Sequence, residues 1–195
     1  SLNIGRWAGN YAFFYVLNRI LNECRPNNIL ELGLGESSKF ISAYLDNELK
    51  DSQHYIIEHD ADWIENFTSR FTLSNRSFVV KTDLSKVSVK GFPVTSYKDF
   101  GLNIVGKYDL YIIDGPFGSS RYSRFDIFSQ VEKFQKEDEF ILIFDDTNRF
   151  GDLETANFVT GHLKAKGITI FTASYVGNKS LTVVVTKKYR FVTSF

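Results

Sequence analysis

Short apolar runs alternate with amphipathic stretches along most of the chain. Residues 28–33 (Asn-Ile-Leu-Glu-Leu-Gly), 54–58 (His-Tyr-Ile-Ile-Glu), 77–82 (Ser-Phe-Val-Val-Lys-Thr), 108–113 (Tyr-Asp-Leu-Tyr-Ile-Ile) and 139–144 (Glu-Phe-Ile-Leu-Ile-Phe) are rich in β-branched and aromatic side chains. They mostly lack strict alternation, the pattern of strands covered on both faces. Between them, apolar positions recur at helical spacing. Tyr11, Phe14, Val16, Leu17, Ile20 and Leu21 predict a helix before the first strand. Phe40, Ile41, Tyr44 and Leu45 predict a second, capped by Ser37 or Ser38. Trp63, Phe67 and Phe71 repeat in steps of four after Asp60 or Asp62, and a further helix is expected from about Arg121 to Lys136. Leu153, Ala156, Val159, Thr160 and Leu163 share one face of a helix that stops at Gly167.

Strand-helix-strand repetition implies a parallel sheet with right-handed crossovers. The end of the chain breaks the rhythm: residues 168–175 and 181–186 are strand-like, and Val176–Ser180 is too short for a helical crossover. Gly177-Asn178 supplies turn chemistry, so these two strands should pair antiparallel. The expected fold is α/β, a three-layer Rossmann-like sandwich with a seven-stranded, mostly parallel sheet and an antiparallel last strand. One domain is expected over residues 1–195, with an N-terminal helical segment at 1–27 and the core at 28–186. Residues 84–107 are irregular; Gly91, Pro93, Gly101 and Gly106 interrupt an otherwise apolar stretch, leaving a short hairpin and a lid as alternatives.

Composition narrows the function classes. Of 195 residues 43% are hydrophobic, and Lys+Arg and Asp+Glu both number 23. A formal charge of zero argues against a nucleic-acid coat, which needs a net basic face. The single cysteine, Cys24, excludes an intramolecular disulfide and a Cys-based zinc site, and reads as a buried thiol. No run resembles a signal peptide or reaches the length of a bilayer span, so a cytoplasmic location is expected.

In open α/β sheets, ligands bind at the carboxyl ends of the parallel strands, and here every such end carries an acid. The first strand runs into Glu31-Leu32-Gly33-Leu34-Gly35-Glu36-Ser37-Ser38. The next four end in Glu58-His59-Asp60, Thr82-Asp83-Leu84, Asp114-Gly115-Pro116 and Asp145-Asp146-Thr147. Gly33 and Gly35 permit a sharp turn and close approach of a ligand. Ser37 and Ser38 open a helix whose free N–H groups favour an anionic group. Glu58 lies 25 residues after Gly33, near the spacing at which an acid accepts from ribose hydroxyls. Asp83 is placed to accept from an exocyclic amine, and His59 adjoins the same end.

These residues carry a resemblance. Glu31-x-Gly33-x-Gly35-x-Ser37-Ser38, Ile57-Glu58-His59-Asp60-x-x-Trp63, Tyr108–Pro116 and Phe144-Asp145-Asp146-Thr147-x-Arg149 resemble the ordered motifs of class I S-adenosylmethionine-dependent methyltransferases. The likeness covers about residues 28–186. It implies an S-adenosylmethionine site in which Glu31, Gly33, Gly35, Ser37 and Ser38 border the methionine part. Glu58 and His59 would meet the ribose and adenine, with Asp83, Leu84 and Asp114 completing the pocket. Ser37 departs from the pattern, standing where the third glycine is usual.

The partial likeness to catechol-type O-methyltransferases implies that Asp114 and Asp145 are catalytic, and that Asp114, Asp145 and Asp146 hold a divalent cation such as Mg²⁺. Oxygen donors suit such an ion. A helix cap at Asp145-Asp146-Thr147 accounts for the same residues. The lysine base of that subfamily is Phe117 here. Arg121, Arg124 and Arg149 are candidates to hold an acceptor anion, or polar positions opening a helix, and an aromatic segment (Trp7, Tyr11, Phe13, Phe14) is a candidate cover for the acceptor pocket. The expected acceptor is a small molecule or saccharide, methylated on oxygen, rather than nucleic acid or a membrane. Two other readings use many of the same residues: a non-catalytic module of this fold, and an NAD-dependent oxidoreductase, for which no Tyr-x-x-x-Lys proton donor is found.

Overall fold

A computed structural model describes residues 10–195; the expectation on Trp7 lies outside the described residues. Helix α1 (Tyr11–Glu23) is capped by the Asn10 side chain, which accepts from the Phe13 N–H. It leads into β1 (Asn28–Leu32), α2 (Glu36–Asn47), β2 (Gln53–Glu58), α3 (Ala61–Arg70) and β3 (Ser77–Lys81). A hairpin of β4 (Leu84–Val89) and β5 (Phe92–Tyr97) and a short α4 (Phe100–Asn103) come next. Then follow β6 (Leu110–Ile113), a short α5 (Phe128–Val131), β7 (Ile141–Phe144), α6 (Phe150–Ala165), β8 (Ile170–Val176) and β9 (Ser180–Thr186).

The main sheet has the order β3-β2-β1-β6-β7-β9-β8. Its first five strands are parallel, and β9 runs antiparallel to both β7 and β8. The last strand in sequence is therefore the reversed one, inserted inside the edge strand β8 because the three-residue link 177–179 cannot cross the sheet. One face packs α1 and α2 over residues such as Leu17, Ile29, Ile112 and Val183; the other packs α6 and the α4–α5 region over Leu30, Tyr111, Leu142 and Val184. Together these make three layers. The central strands β6 and β7 are buried along their whole length, which is why they read as continuous apolar runs. Among the described residues no helix is long and apolar enough to cross a membrane.

One open alternative is resolved and three local expectations are corrected. The segment 84–107 contains a hairpin, turned by Lys90 and Gly91, both at positive φ (50° and 85°), the geometry of a type I′ turn. The helix expected from Arg121 to Lys136 shrinks to one 3-10 turn (Phe125–Ile127) and α5, because Tyr122 and Arg124 adopt left-handed backbone (φ 46° and 56°) that no α-helix tolerates. Helix α2 starts earlier than its expected serine caps: Gly35 is the N-cap, with Ser37 and Ser38 inside the first turn. Cys24 is half-buried rather than fully buried.

Candidate functional site

Two clusters form at the carboxyl rim of the parallel strands. The first is the turn between β1 and α2. Gly33 has φ +101° and packs against the Asp114–Gly115 backbone, a conformation reserved for glycine. Gly35 is different: its backbone is extended, and a Cβ there would meet nothing within 4 Å. The space beside it is open.

Glu58 ties this turn to β2. Its Oε2 accepts from the Leu34 N–H at 3.0 Å, while Oε1 accepts from the N–H groups of His59 (2.6 Å) and Asp60 (2.9 Å). His59 Nδ1 lies 2.8 Å from Oε1, and its ring meets Phe117 edge-on. The Trp63 indole N–H donates to the Leu34 carbonyl at 2.7 Å, so α3 closes over the turn from the outside.

Glu31 sits beneath, 0% exposed. Its Oε2 accepts from the Ser38 hydroxyl at 2.7 Å, and the Ser38 oxygen accepts from the Gly35 N–H at 3.0 Å. His54 Nε2, equally buried, lies 3.0 Å from the same Glu31 oxygen. Glu31 Oε1 has no partner, an uncommon state for a buried carboxylate. The open space at Gly35 and the Glu58 carboxylate tied to the same turn suit a ligand that carries hydroxyls. The residues thus fit the ribose-bearing part of the cofactor that the resemblance implies.

Asp83 stands apart. Its side chain is exposed and pairs with Lys81, which holds its carboxyl below the usual range. Leu84 is half-buried against the core at the start of β4.

The second cluster forms where β6 and β7 end side by side. One oxygen from each of Asp114, Asp145 and Asp146 lies within 4.8 Å of the others. Asp114 is 30% exposed at the mouth, whereas Asp145 is 1% exposed. Burial first, opposed by Arg124 and reinforced by Asp145 and Asp146, pushes the Asp114 carboxyl up to about 7. Asp145 is raised for the same reasons, burial and then Asp146, and no hydrogen bond of normal geometry reaches either of its oxygens.

Three cations answer this charge: Arg124 and Arg149, both among the sequence candidates, and Lys179, which is not. Arg124 Nη2 lies 3.0 Å from Asp114 Oδ1 and 3.2 Å from Asp146 Oδ2, and Nη1 lies 3.4 Å from Asp152 Oδ1. Arg149 and Lys179 also pair with Asp146, at 3.1 and 3.0 Å. These contacts hold the Asp146 carboxyl below its usual range despite burial. Arg121 is elsewhere, forked onto Glu154 through its Nε at 2.9 and 3.0 Å. Asp152, Lys179, His54 and Tyr97 are site neighbours that no local motif signals.

The acid trio has the donor type of a hard-cation site. A guanidinium already bridges two of its three members, however. Its Nη2 sits on the Asp114 Oδ1 and Asp146 Oδ2 atoms that an ion would need as ligands. A divalent ion does not fit the set while Arg124 holds it.

Tyr97 ties the end of β5 to β2. Its hydroxyl donates to the Ile57 carbonyl at 3.1 Å beneath the Gly33 and Gly115 turns. A cavity of about 530 Å³ opens on its far side, between the hairpin and α5. None of the expected cofactor or acid-cluster residues lines it.

No protein-family model matches the sequence, and no curated protein does. Solved structures match in fold. An O-methyltransferase from Bacillus cereus in complex with SAH shares 16% identity over 90% of this chain and 80% of its own, with a TM-score of 0.59. A precorrin-6y C5,15-methyltransferase from Geobacter metallireducens shares 13% over 95% and 94%, with a TM-score of 0.58. An SAH-bound methyltransferase from Podospora anserina shares 10% over 90% and 77%, with a TM-score of 0.52. The chain has the Rossmann-like fold of class I S-adenosylmethionine-dependent methyltransferases.

Proposed function

We propose that this protein is an S-adenosylmethionine-dependent methyltransferase that methylates an oxygen of a small-molecule or saccharide acceptor. The observation that carries the reading is the 3.0 Å bond from the Leu34 N–H to Glu58, which brings the glycine turn and the acid of the next strand together. In this proposal Glu31, Gly33, Gly35, Ser37 and Ser38 surround the amino-acid end of the cofactor, with Glu58 and His59 along the ribose. Asp83 and Leu84 lie toward adenine. Asp83 would have to leave Lys81 to reach it.

The cofactor supplies an electrophilic methyl carbon. The chain's own part is to align an acceptor hydroxyl and receive its proton as the new O–C bond forms. Asp114 is the base in this reading: it is at the mouth, and burial keeps its proton affinity near neutrality. Asp145, behind it, reinforces that affinity by its charge. The divalent cation implied at Asp114, Asp145 and Asp146 has no part in this proposal.

Calorimetry with SAH, S-adenosylmethionine and NAD tests the reading. Binding of the two adenosyl ligands, weakened about tenfold in Glu58→Gln, is the expected result. Binding of NAD alone would overturn it. A non-catalytic, ligand-binding module is the second reading, favoured by Phe117: the position resembling the catechol-type lysine holds an aromatic ring that is 69% exposed. Adenosyl-ligand binding without methyl transfer across a panel of sugars and small hydroxylated acceptors would support that reading instead.

A further inference from the structure

We propose that Arg124 is the resident cation of the acidic rim, occupying the place of a divalent metal, so that the site works without one. This role lies beyond methyl transfer and rests on the cluster alone. Arg124 is 5% exposed and stands at φ +56°, a conformation that a long side chain adopts only when its surroundings require it. What requires it is the ring of acids: Asp114 and Asp146 share Nη2, Asp152 meets Nη1, and the Asp145 carbonyl accepts from Nη1 at 3.3 Å.

The neighbouring backbone is shaped to the same end. Asp146 is itself left-handed at φ +57°, with Arg124, Arg149 and Lys179 all paired to its carboxylate. At Gly151 a Cβ would lie 2.4 Å from the Ser119 carbonyl. Only glycine lets the start of α6 press against that loop, one residue before Asp152. Four acids thus face three cations, Arg124 central among them. A divalent ion would turn the cluster net positive beside a guanidinium that has no room to retreat. Neither Asp145 oxygen is solvent-accessible, so that carboxylate offers no open face on which an ion could exchange ligands.

Electron paramagnetic resonance titration with Mn²⁺, on the full chain, decides the matter without any methyl acceptor. Wild type is expected to show no saturable Mn²⁺ binding up to about 1 mM, a range that covers weak oxygen-ligand sites, and no change in Tm with Mg²⁺ or chelator. Arg124→Gln, with its fold checked by circular dichroism, is expected to gain one Mn²⁺ site that Asp145→Asn then removes. Saturable binding to wild type would overturn the proposal, as would a folded Arg124→Gln that binds no Mn²⁺. Should that variant not fold, the wild-type titration alone decides. SAH calorimetry on the same wild-type sample reports separately on the cofactor reading, so failure of one is not failure of the other.

Discussion

Gly115 shows how tightly single atoms are fitted under the turn between β1 and α2. A Cβ there would lie 2.5 Å from the Tyr97 hydroxyl oxygen and 2.9 Å from the Gly33 nitrogen. Gly115→Ala should therefore cost about 1–3 kcal/mol of stability by overpacking, and Tyr97→Phe in the same chain should return part of it. A double-mutant cycle on thermal melts checks this. Asp126 gives a second test. Burial pushes its carboxyl up to about 6, against hydrogen bonds from Ser96 and the Tyr97 N–H, and its Oδ2 has no partner. Because the folded value exceeds the unfolded one of about 3.9, its stabilising share is complete below that pH and is lost as pH rises toward 6. Asp126→Asn should flatten the fall in stability between pH 4 and 6, by roughly 2 kcal/mol in all. At this scale the strand-end acids were legible in the sequence, since each follows an apolar run. Their assignments were less so: Arg124 shows no local sign of its four acidic neighbours, which come from three separate segments.

Among the elements, α2 depends on a hydroxyl in its first turn. Ser38→Ala would strip the Gly35 N–H of its acceptor and leave Glu31 without its hydroxyl partner in a dry site, a loss of about 1–3 kcal/mol, read by denaturant titration together with weaker SAH binding. The hairpin offers a simpler case. Gly91→Ala at φ +85° should destabilise by about 1 kcal/mol. Strands and long helices were readable from periodicity because burial on two faces, or on one stripe, leaves a pattern in each. The hairpin was readable only as one of two alternatives, since Lys-Gly is a weak turn signal and Pro93 and Gly91 mask the alternation. The expected helix at 121–136 failed for the opposite reason: its periodicity was adequate, but bringing Arg124 to the acids broke the backbone that periodicity assumed. The caps at Ser37 and Ser38 failed because both hydroxyls lie within the helix, where one of them serves Glu31.

For the molecule as a whole, ligand binding and stability should be linked. At SAH concentrations about a hundredfold above Kd, mass action adds roughly 2.7 kcal/mol, which for a chain of this size is an upward shift in Tm of about 5–10 °C; scanning fluorimetry reads it directly, and no shift would count against the cofactor pocket. The overall topology was legible because each strand–helix unit announces its own crossover, and the short final link forces a reversal. Which strand that reversal would slip beside was not written locally.

One contact far from the chemistry bears on how the protein should be handled. The Asn10 side chain donates to the Lys179 carbonyl at 2.9 Å, and Lys179 reaches Asp146. The start of α1 is therefore tied through Lys179 to the acidic mouth, so assays for turnover belong on protein whose affinity tag is joined at the other terminus.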